Sequence, residues 1–188
     1  MHQHSSIWSL PSGFSRPTHN AEKLKSATSQ LGVLVQNGTI SSDDYQVFQR
    51  AAIQVQELMP SLQQTSDTWG IIHADLHQGN YVFYDEDVRP IDFSLCGFGF
   101  YLYDIASTLG DIEASFCLHF FEGYTNFKSL PTNYQSIVEA FVVSSTVENY
   151  AFPSANPQEH EWLSHAVPYV VKNHFHSYFN GETFLFLK

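Results

Sequence analysis

Basic side chains are scarce in this sequence. Eight Lys and Arg stand against nineteen Asp and Glu in 188 residues, a formal net charge of −11. Neutralising a phosphate backbone needs clustered Lys and Arg, so the balance argues against a nucleic-acid partner and is compatible with a cationic ligand. Only two cysteines are present, Cys96 and Cys117, with no CxxC spacing, which excludes a disulfide framework or a zinc ribbon and predicts two buried reduced thiols. No apolar run approaches the ~18–20 residues that cross a bilayer. The start, MHQHSSIWSLPSG, lacks the basic-then-apolar order of a signal peptide. Together these absences lead to the expectation of a soluble cytoplasmic chain with no membrane partner. No internal repeat or low-complexity segment is present. Also missing are a G-x-G-x-x-G loop before a strand and a Walker A motif.

What is abundant is apolar and aromatic. Hydrophobic residues make up 43% and charged residues 14%, with sixteen Phe and ten Tyr. That composition predicts one folded domain over residues 1–188 with a core of large rings. Residues 1–19, with Pro11, Gly13 and Pro17, read as an irregular lead-in in which His2 and His4 are exposed. Asn20 is placed to cap a helix through Val35 that Asn37-Gly38 ends. Ser41-x-x-Asp44 resembles a capping box opening a second helix, with Tyr45, Phe48, Val55, Leu58 and Leu62 near helical spacing and Pro60 placed either to kink it or to end it. Trp69–His73 reads as a buried strand entering a polar loop. Tyr81–Tyr84 and Arg89–Phe93 read as a hairpin turned at Asp85-Glu86-Asp87. Gly97 and Gly99 read as a turn, and helical patterns follow at 103–124, 132–150 and 158–179, the last interrupted by Pro168. Three segments result: 1–68, lead-in and helices; 69–106, polar loop and hairpin; 107–188, helices.

The chemistry concentrates in His73-Ala-Asp75-Leu-His77-Gln-Gly-Asn80 and in Ile91-Asp92-Phe93. Asp75 and Asn80, five apart in one loop, can aim two oxygens into one cleft, and the hairpin brings Asp92 back towards Asn80. Phosphoryl transfer requires such a set: an acceptor for a hydroxyl proton and oxygen ligands for Mg²⁺ on the nucleotide phosphates. With ten His, nine Asp and nine Asn in the chain, chance would supply H-x-D-x₄-N only ~0.02 times. A rival reading puts His73, Asp75 and His77 on one face of a strand as ligands of a hydrolytic metal, with His119 or His165 completing the site.

HADLHQGN resembles the catalytic loop of the aminoglycoside phosphotransferase and choline kinase-like family, and IDF resembles its metal-binding segment. Tyr103-Asp104-Ile105-Ala106 is similar to the helix start that follows, and Trp8-x-x-Pro-x-Gly-Phe-x-Arg-Pro17 to a segment early in the C-terminal lobe. The resemblance implies an α+β, mostly helical fold: a protein-kinase-like C-terminal lobe with a small β-hairpin carrying the catalytic and metal-binding loops. It implies an ATP- and Mg-dependent kinase acting on a hydroxyl of a small molecule, of aminoglycoside, amino alcohol, homoserine or sugar type. Asp75 would be the base, Asn80 and Asp92 the metal and nucleotide ligands, and His73, His77 and Asp104 supporting residues, with His77 at the substrate rim. Asp104 alternatively serves only the dipole of its helix. Ser94-Leu95 departs from the Asp or Gly that many members carry after the Phe.

None of the five lysines, Lys23, Lys25, Lys128, Lys172 and Lys188, follows a glycine-rich strand. The resemblance therefore places the phosphate-holding lysine and the nucleotide-covering N-terminal lobe upstream of residue 1. It makes that lobe, or a second copy of the chain, the expected partner. The alternative from another class is a non-catalytic degenerate lobe or binding module.

Overall fold

The structure, a computed structural model, describes residues 1–85 and 87–186. Glu86 of the acidic turn and Lys188 lie outside the described residues. In chain order the elements are α1 (His2–Ile7), α2 (Ala21–Gln30), α3 (Gly32–Gln36), α4 (Ser42–Leu58), β1 (Trp69–Ile72), β2 (Tyr81–Tyr84), β3 (Asp87–Pro90), β4 (Gly97–Phe100), α5 (Tyr101–Leu109), α6 (Ala114–Thr125), α7 (Tyr134–Ala151), α8 (His160–Val170) and α9 (His176–Phe179). The fold is mostly helical with two small antiparallel sheets, β1–β4 and β2–β3. Two compact units interleave along the chain: among the described residues, 1–19, 63–142 and 185–186 form one, and 20–62 and 143–184 the other.

In the second unit the caps act as their sequence predicts. Asn20 Oδ1 accepts from Lys23 N at 3.0 Å, and Ser41 Oγ accepts from Asp44 N at 3.0 Å. The first helix nevertheless breaks at Leu31–Gly32, where glycine interrupts helix propensity. Leu24, Leu31, Leu34, Phe48, Ala51, Ala52 and Val55 are buried, and the Phe48 ring packs 4.7 Å from Phe175 and 6.1 Å from Tyr150. Pro168 does not end the last helical run, but α8 passes into a π-helical turn at Val171–Phe175 just beyond it. Removing the proline N–H frees a carbonyl one turn back, which favours such a local rewinding.

The first unit departs from expectation in three places. The lead-in contains α1, too short to be stable alone and held by the burial of His2. His2 is therefore not an exposed chain-start residue. Gly97–Phe100 is a strand rather than a turn. Gly97 and Gly99 pair with Ile72 and Gly70, while Phe98 N donates to Pro17 O (2.8 Å) and His19 N to Phe98 O (2.7 Å). A Cβ built on Gly97 would overlap the Pro17 carbonyl oxygen, so glycine here permits close backbone approach. Last, β3 ends at Pro90 and not at Phe93, because Asp92 turns into the left-handed region (φ 58°).

Phe100, Tyr103 and Phe141 form the aromatic centre of this unit, with ring centroids 5.6 Å and 5.9 Å apart. Cys96 and Cys117 are buried free thiols. Among the described residues no helix is long and apolar enough to cross a membrane.

Candidate active site

All six residues singled out in the sequence lie in the first unit, around the loop that joins β1 to β2. The loop leaves β1 through His73, which is fully buried. Ala74 then adopts a left-handed conformation (φ 67°). For a residue with a Cβ that conformation costs about 1–2 kcal/mol and persists only where surroundings impose it.

Asp104 imposes it. From the first turn of α5, its fully buried carboxylate accepts from Ala74 N through Oδ1 (2.7 Å) and from His73 N through Oδ2 (2.9 Å). Two charge-assisted bonds to consecutive backbone amides fix the direction in which the chain enters Asp75. The contact is specific to the loop and goes beyond what a helix dipole alone would require. The His73 ring closes the other side, with Nε2 2.8 Å from Ile91 O and the ring 4.6 Å from that of Phe93. Its Nδ1 is buried without a partner among the described residues.

Asp75 and Asn80 are joined directly. Asn80 Nδ2 donates to both the carbonyl oxygen and Oδ2 of Asp75, each at 2.9 Å. Those bonds set the amide orientation and leave Asn80 Oδ1 without a hydrogen bond among the described residues. Asp75 keeps Oδ1 open as well, since the His77 Nε2 atom lies 3.9 Å away, beyond hydrogen-bond reach. The His77 ring is half-exposed and turns inward only through Nδ1, which accepts from Gly79 N at 3.1 Å. It acts as a cap for the turn at Gln78–Asn80.

The hairpin then carries the chain back. Tyr81 pairs with Pro90, and Ile91 N donates to Asn80 O at 2.8 Å. Asp92 thus sits one residue beyond the position opposite Asn80, at the exposed end of the ladder. The Ser94 hydroxyl and Ser94 backbone N–H, the latter 3.2 Å from Asp92 Oδ1, hold the Asp92 carboxyl below its ordinary range. The Ser94 departure therefore brings a hydrogen-bond donor to the carboxylate.

Sequence reasoning passed over four further residues. Thr108 Oγ1 donates to Leu76 O at 2.8 Å, and Asp111 Oδ2 accepts from Gln78 N at 2.8 Å. Both lie on or just past α5, and the one available signal was their spacing of four and seven from Asp104. His2 of α1 reaches Asp104, and Tyr124 of α6 reaches His2. No local pattern marks them, because their role depends on long-range packing.

The metal-hydrolase geometry is not formed. The strand ends at Ile72 and Ala74 reverses the backbone, so His73, Asp75 and His77 do not share a strand face. Among the described residues no three His, Cys, Asp or Glu come together to hold a metal ion. Asn80 Oδ1 and the Asp92 carboxylate are hard oxygen donors, the first on a buried residue and the second exposed. That set suits Mg²⁺, which takes one or two protein oxygens and fills its remaining positions with water and phosphate. Two of the lysines are committed elsewhere in their own units, Lys23 to Glu148 (3.1 Å) and Lys128 to Asp67 (3.2 Å).

The model of the phosphotransferase enzyme family matches residues 8–137, more than half of the chain and the whole of this site. The chain belongs to that family. Its sequence is 26% identical over 117 residues to amicoumacin kinase of Bacillus subtilis (strain 168), covering 55% of this chain and 34% of that protein. A microcompartment-associated aminopropanol kinase superposes with a TM-score of 0.75 over 100% of this chain and 60% of that one, at 21% identity. An amicoumacin kinase solved with AMP-PNP, Ca²⁺ and Ami gives a TM-score of 0.68 over 91% and 55%, at 19% identity. Choline kinase from Cryptosporidium parvum Iowa II gives 0.59 over 96% and 61%, at 13% identity. The kinase-like fold is thereby established. The chain spans about a third to three-fifths of the length of these relatives.

Proposed function

We propose that this chain is the acceptor-activating and metal-holding lobe of an ATP- and Mg-dependent kinase for a small hydroxyl compound. The observation that carries the reading is the Asp75–Asn80 pair. One amide group bonds Asp75 twice and so leaves one oxygen open on each side chain. Asp75 Oδ1 accepts the proton of the acceptor hydroxyl, and the bond at Oδ2 keeps the carboxylate from rotating away. Asn80 Oδ1 and Asp92 would hold the metal. Bound there, Mg²⁺ supplies charge neutralisation on the nucleotide phosphates. The low Asp92 pKa keeps that ligand ionised throughout the neutral range.

An amine-bearing acceptor is favoured among aminoglycoside, amino alcohol, homoserine and sugar types. The chain carries a net charge of −11, and the relatives named for their substrates act on amicoumacin, aminopropanol and choline. The nucleotide-covering sheet and phosphate-holding lysine come from a further lobe, in the same polypeptide or as a partner.

Calorimetric titration with Mg²⁺ and AMP-PNP tests the reading, with Asp92→Asn as control. Saturable binding that needs Mg²⁺ and is lost in the variant is the expected result. Binding that survives Asp92→Asn would overturn the assignment of ligands. No binding by the chain alone, followed by none with a relative's N-terminal lobe supplied, would favour the non-catalytic lobe instead.

A further inference from the structure

The buried Asp104 carboxylate has a third partner that the phosphotransferase chemistry does not call for. His2 Nε2 lies 3.0 Å from Asp104 Oδ2, and His2 Nδ1 lies 3.0 Å from the Tyr124 hydroxyl. The ring stacks on Tyr101 with centroids 4.6 Å apart. One protonation pattern satisfies every atom: the phenol donates to Nδ1, and Nε2–H donates to Asp104. Burial, with Asp104 and Tyr101 nearby, pushes the Tyr124 phenol above its ordinary value, so it remains a donor. A cavity of about 330 Å³ borders His2, Asp104 and Tyr124, with Leu76, Ile105 and Phe120 on its walls. In such apolar surroundings each bond of the chain is stronger than in water, and each unmade bond costs more.

We infer that His2 and Tyr124 are positioning residues for Asp75, acting through Asp104. Elements remote in sequence line up behind one carboxylate oxygen: His2 of α1 bonds it, and Tyr124 of α6 bonds His2. That oxygen also receives His73 N, while its twin holds Ala74 N in the left-handed conformation. The carboxylate has two rotational degrees of freedom, and the two loop amides alone do not brace it from behind. His2 supplies the brace and Tyr124 fixes the tilt of the imidazole. Without them Asp104 can swing, Ala74 can relax to negative φ, and the Asp75 carboxylate leaves the direction set by Asn80. The relay rests on the reading of Asp75 as base only for its catalytic consequence; its structural consequence stands apart.

The test is residue-resolved amide hydrogen exchange on the full chain and on His2→Ala, His2→Gln and Tyr124→Phe. Exchange at His73 and Ala74 rises at least tenfold in His2→Ala and about threefold in Tyr124→Phe, a near-isosteric change that leaves the packing in place. His2→Gln, which restores an N–H donor, recovers part of the protection. Amides of Leu109 and Val138 in the same core stay as in the wild type. Unchanged exchange at His73 and Ala74 in Tyr124→Phe and His2→Ala overturns the relay. So does a uniform rise across the core with no recovery in His2→Gln, which would make His2 a packing residue only. In a protein competent for phosphoryl transfer, the same variants lower kcat about tenfold with KM held within about twofold. Lost protection in a chain whose wild type never transfers phosphate, even with a lobe supplied, overturns the role of Asp75 and leaves the relay standing.

Discussion

The two sheets of this molecule have the same number of strands and the same strand length, and opposite surroundings. β1–β4 is largely covered: Ile72 is fully buried, Gly97, Gly99 and Phe100 are buried, and Pro17 and His19 add backbone bonds along its side. β2–β3 is open. Val82, Phe83, Tyr84 and Val88 are exposed, Phe83 by 74%. The loop between the sheets inherits this asymmetry. On leaving β1 its backbone is clamped by a buried carboxylate, and on entering β2 it holds Asn80 against Asp75 while, across the ladder, Asp92 stands exposed to solvent. One side of the site is braced by buried hydrogen bonds and the other lies open. A catalytic group needs fixed geometry, whereas a metal ligand must stay reachable.

The largest effect is expected from removing the clamp. Asp104→Ala leaves His73 N, Ala74 N and His2 Nε2 buried without an acceptor, which should lower stability by on the order of 3–5 kcal/mol in urea unfolding. A loss below about 1 kcal/mol would mean that the covered side does not depend on that carboxylate. The open side should behave in the contrary way. Asp92→Asn keeps a residue that tolerates the left-handed backbone and can still accept from Ser94 N, so the unfolding midpoint should hold while phosphoryl transfer in a complete protein falls about 100-fold or more. An equal loss of fold and activity would erase the division of labour.

A pair of sheet substitutions sharpens the comparison. Gly97→Ala forces a methyl against the Pro17 carbonyl and should cost about 1–3 kcal/mol, whereas Val88→Thr on the hairpin should stay within about 0.5 kcal/mol. Denaturation of the two variants side by side gives the answer. The smallest effect concerns pH. The folded Asp92 pKa is lowered, so its ionised form is favoured in the fold, is fully present above the ordinary Asp value near 4, and is lost as pH falls through the lower folded value. Mg²⁺ binding followed against pH should therefore hold to about pH 4. In Ser94→Ala, which loses the hydroxyl and keeps the N–H, the decline should move to higher pH.

Much of the site was legible because its residues are close in sequence. Asp75 and Asn80 sit five positions apart in one loop, and a two-stranded hairpin is a short enough excursion for the chain to bring Asp92 back towards them. The helix caps at Asn20 and Ser41 were equally local, each a side chain reaching three residues along its own chain. The errors share one origin in the reverse situation. Gly97 and Gly99 carry turn-like residues into a strand because Ile72 and Gly70 pair with them from far back in the chain and Pro17 bonds Phe98 between them. Asp92 was read as strand because alternation cannot reveal a left-handed residue.

The sequence alone determined which groups are on offer: the Asp75 carboxylate, the Asn80 amide five residues on and the Asp92 carboxylate, in an acidic chain poor in lysine, which the proposed function casts as base and metal ligands. These follow from residue identity and from bonds a few positions long. Only the tertiary structure decided which atoms of those residues are free. The amide of Asn80 is turned by Asp75, the backbone of Ala74 is bent by Asp104, and Asp104 is braced by His2 and Tyr124 from 102 residues upstream and from α6. Hydrogen bonds are directional and cooperative, so the orientation of a reactive oxygen is set by partners that only folding brings within 3 Å.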